Sequence, residues 1–105
     1  MLEEQTSEID FLEHLAFDLF QDECFEKSAL CYERMVKLDP GRAKSYYNLG
    51  VVLHDLGHFD ESLICYEKAR ELGYDSSRVN LSIGMHFLKL RDFKNGFDRV
   101  DLKSN

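Results

Sequence analysis

The sequence predicts an all-α fold, a stack of antiparallel helix pairs, and three observations predict it. First, the chain repeats every 34 residues: Phe11-Leu12-Glu13-His14-Leu15-Ala16 aligns with Ser45-Tyr46-Tyr47-Asn48-Leu49-Gly50 and then with Val79-Asn80-Leu81-Ser82-Ile83-Gly84, while Phe25 recurs as Phe59 and Phe93. A fixed period of this size marks a stacked repeat array. Second, apolar residues recur at helical rather than strand spacing. Third, turn-forming residues fall where a helical hairpin needs them, and Pro40 is the only proline.

The elements follow in order. Leu12, Leu15, Ala16 and Leu19 share one face of a helix predicted over 8–21. Asp22-Glu23 breaks it, and a second helix runs over 25–38. Asp39-Pro40-Gly41 closes this first unit, because proline cannot continue a helix and disfavours one just upstream. The second unit has helices over 43–56, with Tyr46, Leu49, Gly50 and Leu53 on one face, and over 59–72, separated by Leu56-Gly57-His58. Gly73 ends it through its access to positive φ. Asp75-Ser76-Ser77 offers N-caps to a fifth helix over 77–90. Arg91-Asp92 precedes a sixth over 93–102. Ala16, Gly50, Gly84, Ser28, Ser62 and Gly96 are small, as close approach of paired helices requires.

The pattern of Tyr46, Leu49, Gly50, Leu53, Gly57, Phe59, Ser62, Tyr66 and Ala69 resembles the tetratricopeptide repeat. Leu12, Leu15, Ala16, Leu19, Phe25, Ser28, Tyr32, Met35 and Pro40 form a looser copy, and Asn80, Ile83, Gly84, Phe87, Phe93 and Gly96 a third. The resemblance covers nearly all of 9–100. It implies a right-handed superhelical array: an extension over 1–8, repeats over 9–42 and 43–76, and a partial repeat over 77–105.

Composition narrows the function. A net charge of −7 argues against nucleic acid and against an anionic membrane surface. Charge drifts along the chain: residues 1–42 carry 11 acids against 4 bases, and residues 77–105 carry 3 acids against 6 bases. Ordinary solvated helix faces are the preferred reading of this drift; head-to-tail association or the orienting of a charged partner is the other. No basic-then-apolar leader opens the sequence. Three cysteines without metal-type spacing fit free thiols in a reducing, cytoplasmic setting. Cys31 and Cys65 are one slot seen twice.

The resemblance implies a protein-binding module whose first helices line a concave groove. Slots read across the period are Phe17, Val51 and Met85; Phe20, His54 and Leu88; Glu13, Tyr47 and Leu81; and His14, Asn48 and Ser82. An apolar stripe of this kind suits a peptide or an amphipathic helix. Two readings of Phe17 and Phe20 stand: groove contact, or a thicker core at the first unit. Asn48 occupies a position where the family often holds a peptide backbone, and an amide both donates and accepts. Lys44 and Arg78 lie on one polar edge with Asp10; Gln21, Asp55 and Lys89 lie on the other. The two-carboxylate clamp of some family members is largely missing. Glu13 and Phe17 stand where Lys and Asn are needed, Ser82 replaces a base, and Glu13 should repel a carboxylate.

No catalytic constellation, cofactor loop or metal set is expected. His54-Asp55-Leu56-Gly57-His58 is only a distant cousin of a zinc-protease motif, which needs both histidines on one continuous helix. The third unit ends soon after Val100 and Leu102, leaving two readings. Either the chain is an excerpt of a longer protein, or its end is covered in a homo-oligomer or by a partner. The run Arg91–Asp98 weakly resembles a repeat preceding bacterial glycosyltransferase domains, so a substrate-recruiting part of a larger enzyme is the alternative function. A self-assembling structural module is the third.

Overall fold

The computed structural model describes residues 2–85 together with 87 and 88. Four helices are complete: α1 (Leu2–Gln21), α2 (Phe25–Leu38), α3 (Ala43–Asp55) and α4 (Phe59–Glu71). Residues 76–85 form a further helix, α5. The described residues contain no strand. The sixth helix expected over 93–102 and the break at Arg91-Asp92 lie outside the described residues. α1 begins at Leu2, six residues before the expected start at 8.

α1, α3 and α4 end the same way. The Cys24 N–H donates to the Leu19 carbonyl and the Glu23 N–H to the Phe20 carbonyl, closing α1. His58 and Gly57 do the same to Leu53 and His54 at the end of α3, and Tyr74 and Gly73 to Ala69 and Arg70 at the end of α4. This pair of hydrogen bonds satisfies carbonyls that a helix end leaves orphaned, and it requires a left-handed residue at its centre. Gly57 and Gly73 supply that residue with φ of 86° and 94°, whereas Glu23 takes φ of 63° without being glycine. α5 is capped by Asp75, whose Oδ1 accepts from the Ser77 and Arg78 backbone N–H groups at 3.0 and 3.3 Å.

α1 packs on α2, α2 on α3, and α3 on α4. A first core gathers Ile9, Ala16, Ala29, Tyr32, Met35, Leu49, Val52 and Leu53. A second gathers Tyr66, Ala69 and Val79, with Tyr46, Tyr47, Val51, Tyr74 and Ile83 against them. The small residues do more than make room. Ser28 Oγ donates to the Ala16 carbonyl, and Ser62 Oγ to the Gly50 carbonyl, both at 2.7 Å. A Cβ on Gly50 would stand 2.7 Å from Tyr66 Cε1, so the close approach there is real. One at Gly84 would meet nothing within 4 Å. The close approach expected at Gly84 is therefore not seen among the described residues.

Leu15 also departs from expectation. It is 37% exposed, while its equivalent Leu49 is 5% exposed. The cause is stacking order. Leu49 shares the first core with α2, and no described helix stands on the corresponding side of α1.

Candidate functional site

Two cross-links set the spacing of the three first helices. Between α1 and the start of α3, Arg42 donates to Glu13 Oε2 at 2.6 Å and Lys44 to Glu13 Oε1 at 3.0 Å. Between α3 and α5, the Tyr47 and Ser82 hydroxyls bond at 2.9 Å. Glu13 is therefore not a free carboxylate facing the groove. Partial burial works to raise its carboxyl, but the Lys44 hydrogen bond and the charges of Lys44, Arg42 and His14 outweigh that and hold it below its ordinary value.

Beside this triad lies a concavity of about 320 Å³ lined by Glu13, His14, Phe17, Tyr32, Lys44 and Asn48. Five of these six are residues the sequence nominated. The sixth, Tyr32, reads in sequence only as the repeating scaffold aromatic equivalent to Tyr66. Each wall has its own origin. α1 brings Glu13, His14 and Phe17 through one turn and a further residue, and α3 brings Lys44 and Asn48 four residues apart on one face. Phe17 is exposed over 55% of its surface. His14 Nδ1 donates to the Asp10 carbonyl at 2.8 Å, which fixes the ring against its own helix. Asn48 is half-buried, and its amide bonds no described residue. A floor of this kind can take an apolar side chain, with an amide left to pair a main chain.

The other nominated residues divide into two groups. Leu81 and Met85 on α5, and Leu88 beyond its described end, are 65%, 59% and 60% exposed, at a spacing that puts them on one helical face. Phe20, Tyr47, Val51 and His54 instead serve the packing. Phe20 sits on the first core with its ring 5.3 Å from Phe25. Tyr47 stacks on Tyr74 at 4.7 Å, and Val51 packs on the second core beside it. His54 lies edge-on to Phe59 at 5.3 Å, beside the α3–α4 turn. Of the two readings of the phenylalanines, Phe20 thickens the core and Phe17 stands open. Arg78 is exposed, with its guanidinium 3.4 Å from the Tyr74 hydroxyl.

α3 stops at Asp55 and His58 caps α4, so His54 and His58 share no helix, and the zinc-like run is a turn. No group of three metal-binding side chains occurs among the described residues. Burial raises the Cys31 thiol, and burial with the charges of Glu61 and Glu33 pushes Cys65 up to about 11. No described helix is long and apolar enough to cross a membrane.

Helical pairs stacked in this way, α1 on α2, α2 on α3 and α3 on α4, define a helical-repeat module. Residues 43–72 match the family model of the tetratricopeptide repeat. That stretch, α3 with α4, is thus one tetratricopeptide repeat. The chain is 25% identical over 80 residues to anaphase-promoting complex subunit 3 of Schizosaccharomyces pombe, an alignment covering 76% of this chain and 12% of that protein. The chain thus spans a small part of that relative's length. Among solved structures it resembles the TPR2B domain of yeast Sti1, determined in complex with pHsp70, with a TM-score of 0.75 at 18% identity over 85% of this chain and 71% of that one. It also resembles the N-terminal domain of stress-induced protein-1 from C. elegans, with a TM-score of 0.70 at 25% identity over 86% of this chain and 76% of that one.

Proposed function

We propose that the open face of α1, α3 and α5 binds a peptide or amphipathic helix of another protein. One observation carries this reading: Phe17, Tyr32 and Asn48 converge on a single concavity beside the paired Glu13, where an apolar anchor and a side-chain amide stand together. Leu81, Met85 and Leu88 extend the apolar surface, and Met85 adapts readily to irregular partners. Exposed apolar clusters are uncommon on monomers without a binding role. Binding is passive, through a preformed surface, with Asn48 setting the register of the bound chain and Arg78 orienting it by charge.

The test is a pull-down from lysate with the wild type beside a Phe17→Glu/Met85→Glu variant shown to be folded by far-UV circular dichroism. Both sites are exposed, so folding should survive. Loss of the retained partners supports the groove. Equal retrieval by both proteins moves the site elsewhere.

A further inference from the structure

We propose that Glu13 is a built-in anion, which fills a two-cation site formed by Arg42 and Lys44 and so makes the groove select partners that are uncharged rather than acidic at this position. This rests on the groove reading above and specifies the chemistry of the partner.

Geometry is the first support. Arg42 and Lys44 come from the short connection into α3 and its first turn, yet both reach across to one carboxylate of α1, each taking a different oxygen at 2.6 and 3.0 Å. A carboxylate approached this way by two cations uses the same donors that would grip a carboxylate arriving on a peptide. Burial is the second. The Glu13 and Arg42 side chains are 26% and 29% exposed, so their attraction is less screened than that of a surface pair such as Arg34 and Glu8, at 55% and 43%. Position is the third. The triad borders the concavity that holds Phe17, Tyr32 and Asn48, so a peptide anchored there passes Glu13 and Lys44 directly. With the triad closed, the charge offered to that peptide is one net positive from two cations and one anion. The local anion-binding donors are already engaged. An incoming acid would have to displace Glu13, whereas a neutral segment leaves the triad intact, and specificity by such exclusion needs no new attraction.

A variant that gains binding tests this. Fluorescence anisotropy at low salt would use a capped, fluorescein-labelled poly-L-glutamate peptide as the probe, so that no natural partner is needed. Glu13→Gln removes the internal anion and frees Arg42 and Lys44, and should bind the probe about tenfold more tightly than the wild type, a change worth about 1.4 kcal/mol. Glu8→Gln removes the same charge from the same helix but releases Arg34, which does not line the concavity, and should change little. Adding Lys44→Gln to Glu13→Gln should return affinity to the wild-type level. The proposal is overturned if Glu13→Gln shows no gain, if Glu8→Gln gains as much, or if the gain survives loss of Lys44. Should Glu13→Gln fail to fold, Glu13→Ala, which also removes the carboxylate, should bind the probe more tightly than the wild type, and no gain there overturns the idea as well. The probe needs neither Phe17 nor Met85, so failure here is separable from failure of the groove reading.

Discussion

Ser62 Oγ donates to the carbonyl oxygen of Gly50 at 2.7 Å, joining the two helices of the second pair where Gly50 meets Tyr66. That point leaves no room on Gly50. A Cβ there would stand 2.7 and 2.8 Å from the ring of Tyr66, which is itself 3% exposed and cannot swing away. Alanine is a better helix former than glycine by about 1 kcal/mol. Overpacking a fixed ring costs about 1–3 kcal/mol, so the clash should win. Gly50→Ala is expected to lower the thermal midpoint, and a rise on calorimetry would show that the helices can part at little cost.

Glu23 and Gly57 occupy the same place in successive hairpins, with φ of 63° and 86°. A side chain in the left-handed region costs about 1 kcal/mol or more, which glycine avoids. Glu23 is exposed, so its loss removes no packing. Glu23→Gly should therefore stabilise the chain by about 0.5–1 kcal/mol, measured as a shift in urea midpoint at unchanged slope. A lower midpoint would argue against strain at this turn.

Ser45 is wholly buried, and its hydroxyl makes no hydrogen bond among the described residues. Leaving a polar atom unpaired in a core costs about 1–3 kcal/mol, and alanine of nearly the same shape removes it. Ser45→Ala is expected to match or exceed the wild type by about 1 kcal/mol. A clear loss of stability in denaturant titration would mean that the hydroxyl has a partner in solution.

Alkaline pH should weaken the fold. Burial, with the charges of Glu61 and Glu33 adding to it, pushes Cys65 up from an ordinary value of 9.0 to about 11. Burial likewise raises Tyr66 to about 12. The native state holds these protons more tightly than the unfolded chain. Their contribution is complete below the unfolded values and is lost as pH rises through the folded ones. The melting temperature should hold near neutrality and fall above pH 9, with a shallower fall for Cys65→Ala. Equal slopes for the two proteins would remove Cys65 as a cause.

Much of this was legible in sequence because repetition exposes it. The limits expected for α2 agree with the structure, and those for α3 and α4 are one residue long at their C-terminal ends. What repetition hides is the neighbour. Leu15 and Leu49 are equivalent by period, but only Leu49 has a helix behind it. Tyr47 reads as a groove residue by slot, yet its hydroxyl is bound to Ser82, one residue out of register with the period. Arg42 was missed because it lies between units, where no helical pattern points to it. Its bond to Glu13 reverses the meaning of that carboxylate, from a group that repels acids to one already satisfied.

The tyrosines divide unequally between the two cores. Tyr32 alone lies in the first, whereas Tyr46, Tyr47, Tyr66 and Tyr74 surround the second. The chain has five tyrosines and no tryptophan. Its intrinsic ultraviolet emission is therefore weighted to the seam between α3, α4 and α5, while the first hairpin contributes little light. Opening of that seam and loss of total helix can be followed as separate signals on the same unlabelled sample.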